Sequence, residues 1–212
     1  MRNKIIAIIL CFYFIFLFID FTGMKGLDYC SVILKYSCII LCLTITLLIG
    51  RKGHNNMDKR LLQAAFITTV FADLFLLILN EALYGIALFC IVQTIYIIRH
   101  SRASSFPIKT AGLIIFILSA MLYLSGTKNA VLILSYIYAC ISILSIYTAA
   151  TLFRYKKYPE KTKLLVFSGL VLLLLCDINV AYYNLTGSEI SGFLIWLFYL
   201  PSQLFLSLSG ER

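Results

Sequence analysis

Residues 61–80 read LLQAAFITTVFADLFLLILN, an apolar stretch that contains one charged side chain, the carboxyl group of Asp73. At a rise of about 1.5 Å per residue, a helix of about 20 residues spans the roughly 30 Å hydrocarbon core of a bilayer. A carboxylate inside such a helix costs several kcal/mol unless it faces the protein interior or a water-filled cavity. The stretch therefore predicts a transmembrane helix with a functional site at Asp73.

A second stretch repeats this arrangement. Residues 164–184 read LLVFSGLVLLLLCDINVAYYN, in which Asp177 is the one charged residue. Each Asp is followed seven residues later by an asparagine, Asn80 after Asp73 and Asn184 after Asp177. Seven residues make two helical turns, so the spacing predicts that each Asp and its Asn share one helix face.

The composition places these stretches in an integral membrane protein. Of the 212 residues, 62% are hydrophobic and 13% are charged, and the mean hydropathy is +0.98. Soluble globular domains have a smaller apolar share, so that class is excluded. The net charge of +9 follows from basic loops on one side of a membrane, and we expect no nucleic-acid partner.

The apolar runs predict an all-α, polytopic bundle of about eight transmembrane helices that forms a single domain over residues 1–212. The predicted spans cover residues 4–22, 29–50, 61–80, 83–98, 108–125, 130–153, 164–183 and 190–209. Basic residues precede the first span and fill every second loop, so the positive-inside rule predicts an even number of helices and cytoplasmic N- and C-termini. The first apolar run lacks an A-x-A-like cleavage site, so we expect a retained helix.

Metal and cofactor chemistry is not expected from the residue types. None of the seven cysteines forms a CxxC pair, and the two histidines, His54 and His100, are expected in cytoplasmic loops. An intramembrane Ser–His couple or a histidine metal site is therefore not expected, and neither is a cofactor. Any catalysis falls to carboxylates.

Distances from the cytoplasmic ends predict which polar residues meet. Asp73 lies thirteen residues after Arg60, and Asp177 lies fourteen after Lys163, so both sit roughly 20 Å from that side. Similar counts predict that these two, with three further residues, line one cavity in the outer half of the bundle; the three are Asp20, Lys35 and Tyr199. Lys35 would then offset part of the carboxylate charge, and Gln93 and Gln203 would sit deeper.

Each polar residue also has a structural interpretation. Asp20 and Lys35 are close enough to helix ends to reach the membrane interface, and the glutamines can bond across helices. The stripe of Ser135, Tyr138, Ser142 and Ser145 is interpreted as a close-packed seam. For Asp73 and Asp177, an acid–base pair is favoured over a structural ion pair. Two close carboxylates in a dry cavity repel, so one keeps its proton while the other stays ionised.

Short motifs in the same order and spacing resemble the YhhN-type lysoplasmalogenases, which are polytopic hydrolases of the vinyl-ether bond. They are Lys35 in VILKYS, Ala72-Asp73, the frame of Gly85, Phe89 and Tyr96, Cys176-Asp177, and the segment Tyr199-Leu200-Pro201-Ser202-Gln203. Where the family has a histidine in the fourth helix, this chain has Gln93, which cannot shuttle a proton. Ala72 and Cys176 replace a glycine and a serine of the family pattern.

The resemblance implies an ether hydrolase of the cell membrane that acts on lysoplasmalogens without a cofactor. Asp73 and Asp177 are the expected catalytic residues, and no metal site is expected. The expected substrate-binding residues are Lys35, Asn80, Gln93, Tyr96, Asn184, Tyr199 and Gln203. The expected partners are the lysophospholipid and membrane lipid, and the oligomeric state stays open.

Two other classes of function remain open at this stage. Intramembrane Asp and Lys residues also mark ion pathways, which favours a small proton-coupled or amphiphile transporter. Against a transporter, the chain shows no pair of Gly/Pro-broken helices at its centre. A catalytically silent scaffold is the third candidate, because Gln93 replaces the histidine of the family.

Overall fold

Long helices account for nearly all of the described chain. The computed structural model describes residues 2–23, 26–50, 53–101, 129–155 and 158–211, together with positions 113, 116, 120 and 126. In this part of the chain there are seven long helices and no β-strand, and each helix is long and apolar enough to cross a membrane. They are α1 (Arg2–Thr22), α2 (Asp28–Leu47), α3 (Asn56–Asp73), α4 (Ala82–Ser101), α5 (Ala130–Thr151), α6 (Glu160–Thr186) and α7 (Glu189–Leu208).

The all-α prediction is thereby confirmed, and seven of the eight predicted spans correspond to a helix. The span predicted over residues 108–125 lies outside the described residues except for three single positions. A π-helical turn, Leu74–Ile78, continues α3, and a 3₁₀ turn, Leu152–Arg154, continues α5. The total number of helices and the side of the membrane that holds the termini stay predictions.

Both chain ends lie at the same end of the bundle, called the basic end below. Arg2 forms an ion pair with Glu211, which also bridges to Gly53. Helix α4 ends there. Helix α5 ends there too, because Tyr158, which follows α5, donates a hydrogen bond to Asp58 in the first turn of α3. Helices α4, α5 and α7 therefore all run toward the basic end.

The helices bury polar groups inside and expose apolar side chains outside, as lipid contact requires. Helix α7 lies against α6, α2 and α1, while α4 lies between α3 and α5. Gly169 permits the closest approach of α6 to α7, since a Cβ there would lie 3.2 Å from the Ser202 carbonyl oxygen and would collide with Leu206. The exposed apolar side chains include Phe14, Phe18, Phe21, Phe71, Leu185 and Ile190.

The basic end is closed by a buried ion pair that the sequence analysis missed. The Arg99 guanidinium donates to both Asp58 carboxylate oxygens, at 2.9 and 3.1 Å, and to the hydroxyl and carbonyl oxygens of Ser209. The expectation that His54 and His100 lie in loops is wrong for His100, which is buried in the last turn of α4. His54 lies at this end and contacts the Tyr158 ring.

Candidate active site

Asp73 is the last α-helical residue of α3 and is buried, with 3% of its surface exposed. The Tyr199 hydroxyl on α7 donates a 2.6 Å hydrogen bond to Asp73 Oδ2. The π-helical turn after Asp73 changes the direction of the following side chains. Gly85 on α4 packs against this turn, because a Cβ there would collide with Leu76 and would lie 3.3 Å from the Ala72 carbonyl oxygen.

Asp177 lies on α6 and is partly buried. The Tyr138 hydroxyl on α5 donates a 2.7 Å hydrogen bond to Asp177 Oδ2. Each catalytic candidate therefore receives one tyrosine hydroxyl from a neighbouring helix. Within the described residues, neither carboxyl group forms an ion pair.

The two Asp–Tyr pairs are linked through the Phe89 ring on α4. The ring centroid of Phe89 is 6.1 Å from that of Tyr138 and 6.3 Å from that of Tyr199. Cys176, which precedes Asp177 on α6, is also buried. Five helices, α3 to α7, thus each contribute one residue to a cluster inside the bundle. We call Asp73, Tyr199, Phe89, Tyr138 and Asp177 the carboxyl cluster.

Lys35 is not part of the carboxyl cluster. Its ammonium group forms a 2.8 Å ion pair with Asp20 on α1, and Asp20 also accepts a 2.6 Å hydrogen bond from Ser31. The Lys35 Nζ atom lies 4.9 Å from the Trp196 ring centroid, over the ring face, and Trp196 packs edge-on against Tyr199. The expectation that Lys35 offsets the charge of the two aspartates is wrong, because Asp20 is its partner and an indole ring separates it from Tyr199.

The prediction that each Asp shares a helix face with its Asn is wrong for Asn80. Neither Asn lies in the carboxyl cluster. Asn80 lies after the π-helical turn, is exposed and adopts a left-handed backbone conformation with φ of 55°. Asn184 is exposed and donates a hydrogen bond to the Val180 carbonyl oxygen of its own helix. Both side chains lie apart from the carboxyl cluster, and a role for them in substrate binding stays a prediction.

The other predicted binding residues are buried on the faces that carry Phe89 and Tyr199. Gln93 and Tyr96 follow Phe89 on one face of α4, and Gln203 follows Tyr199 on α7 by one turn. The Oε1 atoms of both glutamines and the Tyr96 hydroxyl are buried and have no hydrogen-bond partner among the described residues. Tyr96 stacks on His100 with the two rings nearly parallel.

Tyr138 is the residue that the sequence analysis misjudged. Its stripe on α5 was interpreted as a packing seam, but Tyr138 binds Asp177, and Ser142 and Ser145 are buried with unpartnered hydroxyls. Ser135 alone bonds to its own helix, through the Val131 carbonyl oxygen. Polar residues at helical spacing in an otherwise apolar helix are the sequence feature that indicates a polar site on α5. The packing of α6 against α5 determines that Tyr138 binds Asp177.

An apolar helical bundle with buried carboxyl groups at its centre is an integral membrane protein whose polar site lies within the spans. The model of the YhhN family matches residues 30–210, from the first turn of α2 to just beyond the end of α7. The chain belongs to the YhhN family, which confirms the resemblance inferred from the short motifs. No curated protein and no solved structure gives a match to the chain.

Proposed function

We propose that this protein hydrolyses the vinyl-ether bond of lysoplasmalogens in the cell membrane, releasing a fatty aldehyde and a glycerophospholipid. The observation that supports it is the carboxyl cluster. It holds two carboxyl groups without a cationic partner in the described residues, each bound to one tyrosine hydroxyl. Family membership supports a hydrolase, and a bundle of membrane-spanning helices suits a lipid substrate.

The reaction needs one acid and one anion. Protonation of the alkene carbon remote from the ether oxygen makes an oxocarbenium ion at the adjacent carbon. Water adds to that carbon and loses a proton, giving a hemiacetal. The hemiacetal carbon–oxygen bond to glycerol then breaks as the glycerol oxygen takes up a proton. The net change is the addition of one water molecule and the release of an aldehyde and an alcohol.

Asp73 and Asp177 supply the acid and the anion in this proposal. A buried carboxylic acid can donate the proton to carbon, and an ionised partner stabilises the cation and accepts a proton from the attacking water. The proposal assigns the two roles to the two carboxyl groups together, without fixing which of them is the acid. Tyr199 and Tyr138 hold the two carboxyl groups in place by donating to one oxygen of each and leaving the second oxygen for chemistry.

Gln93 replaces the histidine of the family, and its position explains how the chain can do without one. It lies one turn from Phe89 and beside the Tyr138 hydroxyl, with its Oε1 atom unpartnered among the described residues. An amide donates and accepts hydrogen bonds but does not carry a proton. Gln93 therefore orients water or the glycerol hydroxyl, together with Gln203, and proton transfer stays with the two carboxyl groups.

The direct test compares three lysophospholipids that share one headgroup and one chain length but carry an alkenyl, an alkyl or an acyl chain. We expect purified protein to release aldehyde from the alkenyl lipid alone. In deuterated water, the aldehyde should carry one deuterium at carbon 2, because the alkene is protonated there. Movement of labelled lipid across vesicles without aldehyde would support a transporter. Neither aldehyde nor transport would support a scaffold, and either outcome would overturn the proposal.

A further inference from the structure

Between the carboxyl cluster and the basic end, the interior of the bundle contains a second set of polar side chains. The proposed hydrolysis uses only some of them. Their oxygen or nitrogen atoms are buried and have no hydrogen-bond partner among the described residues; the set comprises Gln93, Tyr96, His100, Ser142, Ser145, Ser202 and Gln203. Buried polar atoms in proteins are nearly always satisfied, by protein or by ordered water. So many unsatisfied groups in one bundle indicate hydrogen-bonding partners that the described residues do not supply.

The relative positions of α4 and α7 show which of these groups lie at the same level in the bundle. Phe89 contacts Tyr199 and Arg99 bonds to Ser209, and both pairs are 110 positions apart in the chain. The two helices run in the same direction, so residues 110 positions apart lie at the same level throughout. Gln93 is therefore level with Gln203, one turn from the carboxyl cluster toward the basic end.

Residues of α5 can be placed at the level of α4 residues in the same way. Phe89 also contacts Tyr138, which is 49 positions away, and this parallel helix brings Ser142 level with Gln93 and Ser145 level with Tyr96. The face of α4 that carries Phe89 lies between α5 and α7, because it contacts both tyrosines. Three helices therefore line one polar strip that extends from the carboxyl cluster toward His100. We call it the polar seam.

The seam ends below the basic end of the bundle. The His100 ring stacks on the Tyr96 ring at the end of the seam. The neighbouring Arg99 donates hydrogen bonds to Asp58 and Ser209. Arg99 and His100 are each 1% exposed, so the seam stops short of the protein surface at that end. Apolar residues do not satisfy amide, hydroxyl and imidazole groups, and the described residues of the seam carry no formal charge that would pair with a charged ligand. A neutral hydrogen-bonding molecule of small size fits this chemistry.

From this juxtaposition we propose that the polar seam between α4, α5 and α7 binds a chain of internal water molecules that ends at the carboxyl cluster. Each water of such a chain makes about three hydrogen bonds, which the seam groups and the neighbouring waters supply. The first water, between Gln93, Gln203 and Ser142, lies one turn from the two Asp–Tyr pairs. If the proposed hydrolysis is right, on which this step rests, this chain supplies the attacking water from within the protein.

Hydroxyl-radical labelling during a brief X-ray exposure tests the water chain without any substrate, because radicals form from water and modify the side chains next to it. Tyr96 and Phe66 are both buried aromatic residues with no exposed surface, and Phe66 lies in the apolar core. We expect Tyr96 in the native protein to be modified several-fold faster than Phe66. Equal, low modification of the two residues would overturn the proposal.

A variant pair locates the water. Gln93→Leu with Gln203→Leu should lower the modification rate of Tyr96 to that of Phe66. Thr94→Val is the matched control, because the exposed Thr94 hydroxyl bonds only to the Cys90 carbonyl oxygen of α4, and it should change nothing. Unchanged labelling of Tyr96 in a folded double variant would overturn the assignment to these glutamines. Labelling without aldehyde release would keep the water chain and reject the hydrolase, so the two proposals fail separately.

Discussion

Helix α3 carries one buried aspartate near each end, and the two differ in their partners rather than in their burial. Asp58 and Asp73 each expose 3% of their surface. Asp58 accepts two hydrogen bonds from Arg99 and one from Tyr158, whereas Asp73 accepts one from Tyr199. The positive end of the helix dipole also favours a negative charge at Asp58 and not at Asp73. A carboxyl group that is buried without compensation is the one available for chemistry.

The largest expected effect is on the compensated member of this comparison. Asp58→Asn leaves the Arg99 guanidinium buried without its counter-charge, and breaking a buried ion pair in this way costs about 3–5 kcal/mol of stability. Thermal or denaturant unfolding of the purified protein in detergent measures it. Adding Arg99→Gln should recover part of the loss, because no unpaired charge then remains. An Asp58→Asn protein as stable as the parent would remove the structural role of this pair.

Asp73 and Asp177 have no cationic partner among the described residues, so substituting them should lower the activity and leave the stability nearly unchanged. Asp73→Asn and Asp177→Asn keep the shape but remove the acid–base group, so each should reduce aldehyde release on the order of 100-fold or more. Stability in the same unfolding assay should stay close to that of the parent.

Asn179→Ala is the control for these two variants. It lies two residues from Asp177, and within the described part of the chain its side-chain amide bonds only to the Leu175 carbonyl oxygen of its own helix. We expect it to retain full activity. Full aldehyde release by the Asp73→Asn and Asp177→Asn proteins would exclude the carboxylate mechanism even if the lysolipid is the substrate.

The two tyrosine partners give a smaller effect and rank the two carboxyl groups. Tyr199→Phe and Tyr138→Phe each remove one hydrogen bond to a carboxyl group inside the bundle, worth about 1–3 kcal/mol. Asp73 is buried and Asp177 only partly, so the Tyr199→Phe rate should fall further than the Tyr138→Phe rate. Steady-state aldehyde release gives both rates, with the exposed Tyr182→Phe as control. Equal rates for all three variants would show that the hydroxyls do not position the carboxyls.

The sequence predicts what depends on one helix at a time. Apolar length alone located the seven spans that the structure describes, and a charge inside such a run singled out Asp73 and Asp177. Asn80 could not be placed in this way, because the π-helical turn breaks the helical period directly after Asp73. The spacing rule assumes an unbroken α-helix.

Pairing between distant segments is the part that the sequence did not reveal. Charged residues after an apolar run were assigned to a loop, yet Arg99 is buried because Asp58, far away in the chain, neutralises it. Tyr138 binds Asp177 only because α5 packs against α6. Lys35 and Asp73 were expected to meet from their similar depths, but depth says nothing about direction around the helix axis, and Lys35 meets Asp20 instead.

The smallest expected effect concerns this third aspartate, which lies between the two extremes of the α3 comparison. Asp20 has a cationic partner, as Asp58 does, but the side chains of Asp20 and Lys35 are 20% and 11% exposed, against 2% and 1% for Asp58 and Arg99. In Asp20→Asn, the Lys35 ammonium keeps its contact with the Trp196 ring face and can extend toward the membrane interface. In the same unfolding assay, the loss of stability should therefore be about 1 kcal/mol, below the roughly 3–5 kcal/mol expected for Asp58→Asn. A loss as large as that of Asp58→Asn would mean that Lys35 cannot leave its buried position when Asp20 is neutral. The stability effect of losing a carboxylate would then depend on where its cationic partner is held as well as on whether it has one.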